Sequence, residues 1–195
     1  MTRSVRSITI PAFVALAAAC ASIGGGGQAD LLSSGLDSLT ESGGADWSFA
    51  NGVAQASTGT AIGFLATKDD YRDFELDLEV YVGDPHNSGV FIRCADRAAI
   101  TATNCYEANI YDKRPDQSGR TGAVPGFFTP PLAQVDAANR WNTMKIRAEG
   151  AHLTIHVNGV KTVDGDGPLL NAGPIALQWG EGDVRFRNVK VRRLD

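Results

Sequence analysis

The chain has 195 residues, with 18 Lys and Arg against 22 Asp and Glu, for a formal net charge of −4. No basic stretch interleaves with aromatic residues, which argues against nucleic acid as a partner. Residues 31–195 suit one domain and can bury a substantial core.

At the N-terminus, Arg3 and Arg6 precede an apolar or small run at residues 8–19. That run falls well short of the roughly 20 apolar residues that cross a bilayer. Pro11 interrupts it and glycines 24–27 follow it, so residues 1–21 read as an export signal rather than a buried helix. Leu16-Ala17-Ala18-Ala19-Cys20 resembles a bacterial lipobox, with Ala17 where a larger apolar residue is usual. Lipidation at Cys20 would anchor the chain to a membrane, in the periplasm or at the outer membrane. Cleavage after Ala19 or Ala21 would instead release it. With Cys20 lipidated, Cys94 and Cys105 remain as an even pair, either a disulfide in an oxidising compartment or two buried thiols. Residues 22–30 are Gly-rich and polar and read as a tether.

The rest of the chain consists of short alternating runs separated by Gly, Asn, Asp and Pro. Residues 47–56 contain Asn51-Gly52, a tight-turn signal, and residues 62–67 form a short candidate strand. Phe74, Leu76, Leu78, Val80 and Val82 alternate with Glu75, Asp77, Glu79 and Tyr81, the period of a half-buried strand. Residues 90–94 and 106–111 are the next two strands. Residues 113–139 form a long connection carrying Phe127-Phe128 and Pro130-Pro131. It reads either as a lid or rim over a site, or as a loop packed over one end of the core. After Trp141 come alternating strands through residue 148 and at 153–157, then an Asn158-Gly159 turn into 160–163. Residues 173–179 and 184–191 close the domain, with a parity change near Asn188 that calls for a bulge. The predicted fold is all-β, a two-sheet antiparallel jelly-roll sandwich.

Strand parity sorts the chemistry. Glu107, Asn109 and Tyr111 share a face, and Arg93 shares one with Gly89 and Phe91. Arg93 and Glu107 are thus expected on one open surface, as a site or as an ordinary surface ion pair. Asp112 ends its strand, where it can turn into the site or cap the loop. Glu75-Leu76-Asp77-Leu78-Glu79 sets three carboxylates on one strand face, which is also how laminarinase-type glycosidases arrange theirs. The simpler reading is a solvent-facing side of an amphipathic strand. His86, His152 and His156 lack metal-ligand spacing, and no G-x-S-x-G nucleophile motif is present. Asp84, His86 and Asn87 form either a weak cation site or a turn.

The order of short motifs resembles the 3-keto-disaccharide hydrolase family, also known as domain of unknown function 1080. The matching pieces are Trp47 with Asn51-Gly52-Val53, Asp73-Phe74-Glu75-Leu76, Asn87-Ser88-Gly89-Val90-Phe91-Ile92-Arg93 and Tyr106-Glu107-Ala108-Asn109-Ile110-Tyr111-Asp112. They continue with Thr121-Gly122-Ala123, Trp141-Asn142, Val157-Asn158-Gly159, Gly173-Pro174-Ile175-Ala176-Leu177-Gln178 and Phe186-Arg187-Asn188-Val189. The resemblance implies a concanavalin A-like sandwich and a 3-keto glycoside substrate. Two positions depart from the pattern. Asn109 stands where many members have Gln, and Trp179-Gly180-Glu181-Gly182 lacks a His-Gly that many members carry.

The chemistry so implied removes the C2 proton acidified by the C3 ketone, expels the C1 substituent and adds water. It assigns Glu107 as base or acid and Arg93 as oxyanion stabiliser. Glu75, Asn109, Tyr111, Asp112, Gln178 and Trp179 are the remaining substrate-binding candidates. A divalent metal could replace Arg93 in polarising the ketone, with no ligands evident. The alternative from another class is a non-catalytic lectin-like module of an envelope lipoprotein, binding carbohydrate on an aromatic platform such as Tyr111 or Trp179. A structural envelope protein without a ligand is a third reading.

Overall fold

The computed structural model describes residues 27–168 and 170–194; the expected signal region and Cys20 lie outside them. Among the described residues there are thirteen strands and two 3-10 turns. The strands are β1 (Ala29–Asp30), β2 (Leu39–Ala45), β3 (Ser48–Ala50), β4 (Val53–Ala56), β5 (Gly59–Thr67), β6 (Phe74–Val82) and β7 (Asn87–Ile92). They continue with β8 (Tyr106–Ile110), β9 (Arg140–Glu149), β10 (His152–Val157), β11 (Val160–Asp166), β12 (Ala176–Glu181) and β13 (Val184–Arg193).

All pairings between these strands are antiparallel. The large sheet runs β11-β10-β9-β6-β13-β4-β3, with β1 beside β13, and the small sheet runs β2-β5-β12-β7-β8. Asn51-Gly52 and Asn158-Gly159 both turn with positive φ at each residue, the geometry that tight hairpins need and that Asn-Gly supplies at little cost. In β6 every second residue from Phe74 to Val82 is buried. These pack against Leu65, Val90, Ile92, Ala108, Ile110 and Leu177 of the small sheet to form the core. The register of β13 against β6 shifts between Arg187 and Lys190, with Asn188 at φ 51. This is the bulge that the parity change at Asn188 predicts. β2 has no sequence signal, because its Thr-Glu-Ser-Gly-Gly run is an exposed edge with no apolar alternation.

The long connection after β8 belongs mainly to the core. Asn109 N donates to Ala123 O and Gly122 N to Asn109 O, so this segment covers the free edge of β8. Phe127 and Phe128 pack on Tyr106, and Leu132 N donates to Thr162 O of β11. The connection therefore closes one side of the sandwich, and only its first turn reaches the outer face of the small sheet.

Candidate functional site

The outer face of the small sheet holds the one carboxyl of the molecule that is buried and free of partners among the described residues. Register aligns Phe64, Gln178, Gly89 and Asn109 in one row across β5, β12, β7 and β8. Ala66, Ala176, Phe91 and Glu107 form the next row. Glu107 lies opposite Phe91 but leans over Gly89, where a Cβ would come within 3.0 Å of its Oε1 and 3.2 Å of its Cγ. Only glycine leaves that space. Gln178 is the cross-strand partner of Gly89, so the two side chains share a depression of about 400 Å³. Asn87, Tyr111 and Arg114 complete its polar side. The Asn87 carboxamide lies over Gly180, where a Cβ would meet its Nδ2 at 2.8 Å.

Glu107 is 6% exposed. Burial strips its carboxylate of hydration and raises its pKa to about 7, against an opposing pull from the Arg114 guanidinium. No hydrogen bond contributes to that balance. Gln178 Oε1 and Asn109 Oδ1 are likewise buried without a hydrogen-bond partner. Native interiors rarely leave such groups unmatched, and here two of them fall in one row beside Glu107. A carboxyl poised near neutral pH beside amide groups can exchange a proton with a ligand and orient hydroxyls.

Several residues expected at the site are elsewhere. Arg93 is the main correction. β7 ends at Ile92, and Arg93 takes φ 51, which breaks the alternation and turns its side chain away from Glu107. Its guanidinium donates to Arg72 O at 2.6 Å, Gly150 O at 2.6 Å and Asp73 Oδ1 at 2.8 Å. It is a buried clamp between the sheets and no oxyanion donor. Trp179 has the opposite parity to Gln178. Its ring sits in the core and its Nε1 donates to Gly182 O at 2.8 Å, so it offers no platform. Glu75 lies on the outer face of the other sheet, paired with Arg147 and Arg192, whose hydrogen bonds hold its carboxyl low.

Asp112 caps the loop. It accepts from Thr121 Oγ1 at 2.5 Å and from the amides of Ala137 and Ala138 at 2.8 and 3.0 Å. Burial alone would raise its pKa, but these contacts and His86 outweigh that and hold it at about 2. Asn109 shares the face of Glu107 but is fully buried, with Nδ2 donating to Gly119 O at 2.5 Å. It supports the first turn of the loop and does not line the depression.

Asp84, His86 and Asn87 do not converge. Asp84 pairs with Lys113 at 2.7 Å, His86 is buried against Gly83 O and the Asp112 amide, and Asn87 faces the depression. No group of three His, Cys, Asp or Glu side chains with metal-binding geometry occurs among the described residues. With Glu107 as the single carboxylate among amides, a phenol and a guanidinium, the donor set does not fit a metal that polarises a ketone.

Sequence reasoning missed Arg114 and the apolar side of the depression, and it read Asn87 as part of a turn or weak cation site rather than as a residue lining the depression. The apolar side is built from Ile62, Phe64 and Phe91 on the sheet and from Ile100, Thr101 and Ala102 on the loop before β8. Ile62 and Phe64 share a parity, which is the one local signal for them. Cys94 and Cys105 form a disulfide that closes this loop at its base.

Residues 34–192 match the family described as 3-keto-alpha-glucoside-1,2-lyase-like domain. Among solved structures, a proposed glycosyl hydrolase of Parabacteroides distasonis ATCC 8503 is 26% identical, with TM-score 0.72. The match covers 87% of this chain and all of that one. A second proposed glycosyl hydrolase of the same organism is 19% identical, with TM-score 0.66, over 76% of this chain and 83% of that one. The carbohydrate-binding module CBM66 of Bacillus subtilis is 17% identical, with TM-score 0.60, over 80% and 95%. The last two show the fold alone, a lectin-like jelly-roll sandwich. No curated protein matches the chain.

Proposed function

We propose that this chain, which belongs to the 3-keto-alpha-glucoside-1,2-lyase-like domain family, acts on carbohydrate and cleaves 3-keto glycosides by elimination and hydration. A ketone at C3 acidifies the C2 hydrogen. Glu107 takes that proton, and the C2–H electrons pass into an enolate whose negative oxygen is C3–O. The enolate collapses to a C1=C2 double bond as the C1–O bond breaks, and its electron pair leaves on the departing oxygen. That oxygen takes a proton, either from protonated Glu107 or from the Tyr111 hydroxyl. Water then adds across C1=C2, hydroxyl to C1 and proton to C2, giving the free 3-keto sugar. The substrate arrives already oxidised, so no redox partner is needed.

Arg114 and the carboxamides of Gln178 and Asn87 are donors on the polar side of the depression that can serve a developing enolate oxygen and sugar hydroxyls. The observation that carries the reading is Glu107 itself, a buried carboxyl without a partner, raised to about 7. A base whose pKa lies near the working pH is both available and strong enough to move a carbon-bound proton.

The same reading extends to location. The basic and apolar N-terminal run and Cys20 support export and a lipid anchor at the envelope. A disulfide between Cys94 and Cys105 suits an oxidising compartment.

One observation favours binding without turnover. The stretch Trp179-Gly180-Glu181-Gly182 lacks the His-Gly of the family pattern, and Trp179 is buried in the core. A lectin-like module would need only the amides and the aromatic rim. The deciding experiment incubates the purified domain with a 3-keto glucoside and with the unoxidised glucoside. Release of aglycone from the keto sugar alone, lost in Glu107→Gln, supports the reading. Binding without release makes the protein a lectin. Cleavage of ordinary β-glucan, lost in Glu75→Gln, replaces the proposal with a laminarinase-type reaction.

A further inference from the structure

The depression beside Glu107 has two unlike halves. Its polar half holds Glu107, Gln178, Asn87, Tyr111 and Arg114. Its other half is a mainly apolar wall in which Phe64 and Phe91 meet edge to face with ring centroids 5.3 Å apart; its one polar member, Thr101, has its hydroxyl engaged by Thr103 Oγ1 at 2.9 Å and Asn104 Oδ1 at 3.1 Å. Ile100 and Ala102 pack against the same cluster. Ile62 forms the mouth and is 47% exposed.

The wall is a built feature rather than a bare patch of sheet. The Cys94–Cys105 disulfide closes the loop that carries Ile100 and Ala102. Ala95 N donates to Asn104 O at 2.8 Å, and Thr101 N to Asn104 Oδ1 at 3.1 Å. Arg97 ties the same loop to Thr67 O and Asp70 on the sheet side.

A 3-keto sugar ring carries hydroxyls and a ketone, and these match the half that holds Glu107, Gln178, Asn87, Tyr111 and Arg114. The group leaving from C1 must then lie against the other half. A second sugar there would bring hydroxyls against a wall that offers almost no partner, and burying unpaired polar groups is costly. An apolar group gains from the same wall in proportion to the area it covers. Resting on the proposed reaction, we infer that the substrate is a 3-keto glycoside of an apolar aglycone, aromatic or branched aliphatic, and not a disaccharide.

The test measures dissociation constants by calorimetry in the Glu107→Gln protein, which should bind without turning over. The probes are cyclohexylmethyl 3-keto-glucoside and a 3-keto-disaccharide. Cyclohexylmethanol is a poorer leaving group than a sugar alcohol, so wild-type rates would not favour it for intrinsic reasons. The cyclohexylmethyl compound should bind at least about tenfold tighter. Ile62→Ser, at an exposed position that the fold tolerates, and Ile100→Ser should each weaken it about fivefold and should not weaken the disaccharide. Equal or tighter binding of the disaccharide, or equal losses for both compounds, overturns the inference. Wild-type turnover is read separately. Preferential binding without cleavage removes the reaction and keeps the aglycone pocket, whereas cleavage of both compounds without preference keeps the reaction and removes the pocket. Failure to bind either compound overturns both.

Discussion

The two sheets treat the carboxylates on their outer faces in opposite ways. On the large sheet Glu75 pairs with Arg147 and Arg192, Asp77 with Lys145 at 2.9 Å, and Glu79 with Arg187 at 2.5 Å and Asn188 at 2.6 Å. Hydrogen bonds from Arg192 and Arg187 hold Glu75 and Glu79 low. On the small sheet Glu107 stands without a partner, and burial raises it. A carboxylate surrounded by cations is a weak base and is already satisfied, whereas one deprived of both water and partners is poised to take a proton. The three-carboxylate strand is the more conspicuous pattern in the sequence. The lone glutamate is the better chemical candidate.

The largest expected effect comes from removing the odd carboxyl. Glu107→Gln should lower aglycone release from a 3-keto glucoside by about 10²–10⁴-fold while the circular dichroism spectrum stays intact. Retained activity would make the contrast between the faces irrelevant to chemistry. Arg93→Met tests whether the buried guanidinium acts at the site or in the frame. As a clamp, its loss should cost about 3–5 kcal/mol in urea unfolding, with kcat per folded molecule preserved. A stable variant with collapsed kcat would return Arg93 to the mechanism.

The third prediction concerns pH. The folded pKa of Glu107 lies above its unfolded value, so the native state binds more protons between them. Stability should therefore be fully present below the unfolded value and fall as pH rises toward about 7, by up to about 3 kcal/mol. Asp112 has the opposite sign. Held at about 2, it contributes stability at neutral pH that is lost as pH falls from its unfolded value toward 2. Unfolding measured between pH 4.5 and 8 in wild type and Glu107→Gln isolates the first effect. Parallel curves would mean that Glu107 is not raised.

Arg114→Met should move the basic-form limb of kcat/KM to higher pH by about one unit or less, because the one nearby cation no longer favours the carboxylate. A downward move would show that Arg114 does not act on Glu107. The smallest effect belongs to the large sheet. Glu75→Gln should leave aglycone release unchanged and alter stability by less than about 1 kcal/mol, as for an exposed ion pair.

Strand period, turn chemistry and the Asn188 bulge were legible because each depends on neighbours a few residues away. Parity correctly grouped Glu107 with Asn109 and Tyr111 on one face. It failed at Arg93, because a positive φ reverses a side chain without leaving a mark in the alternation. It also could not tell that Gln178 points outward and Trp179 inward, since period 2 separates two faces without saying which one meets the other sheet. Asp112 was ambiguous for a related reason, as its partners Ala137 and Ala138 lie 25 and 26 residues away.

The sequence alone thus determined an all-β sandwich and a short roster of polar residues, because hydrophobic periodicity and Asn-Gly turns are local. Only the tertiary structure decided which carboxyl lacks a partner. Salt-bridge partners, burial and the loop that walls the depression come from strands and turns far apart in the chain, and packing alone brings them together.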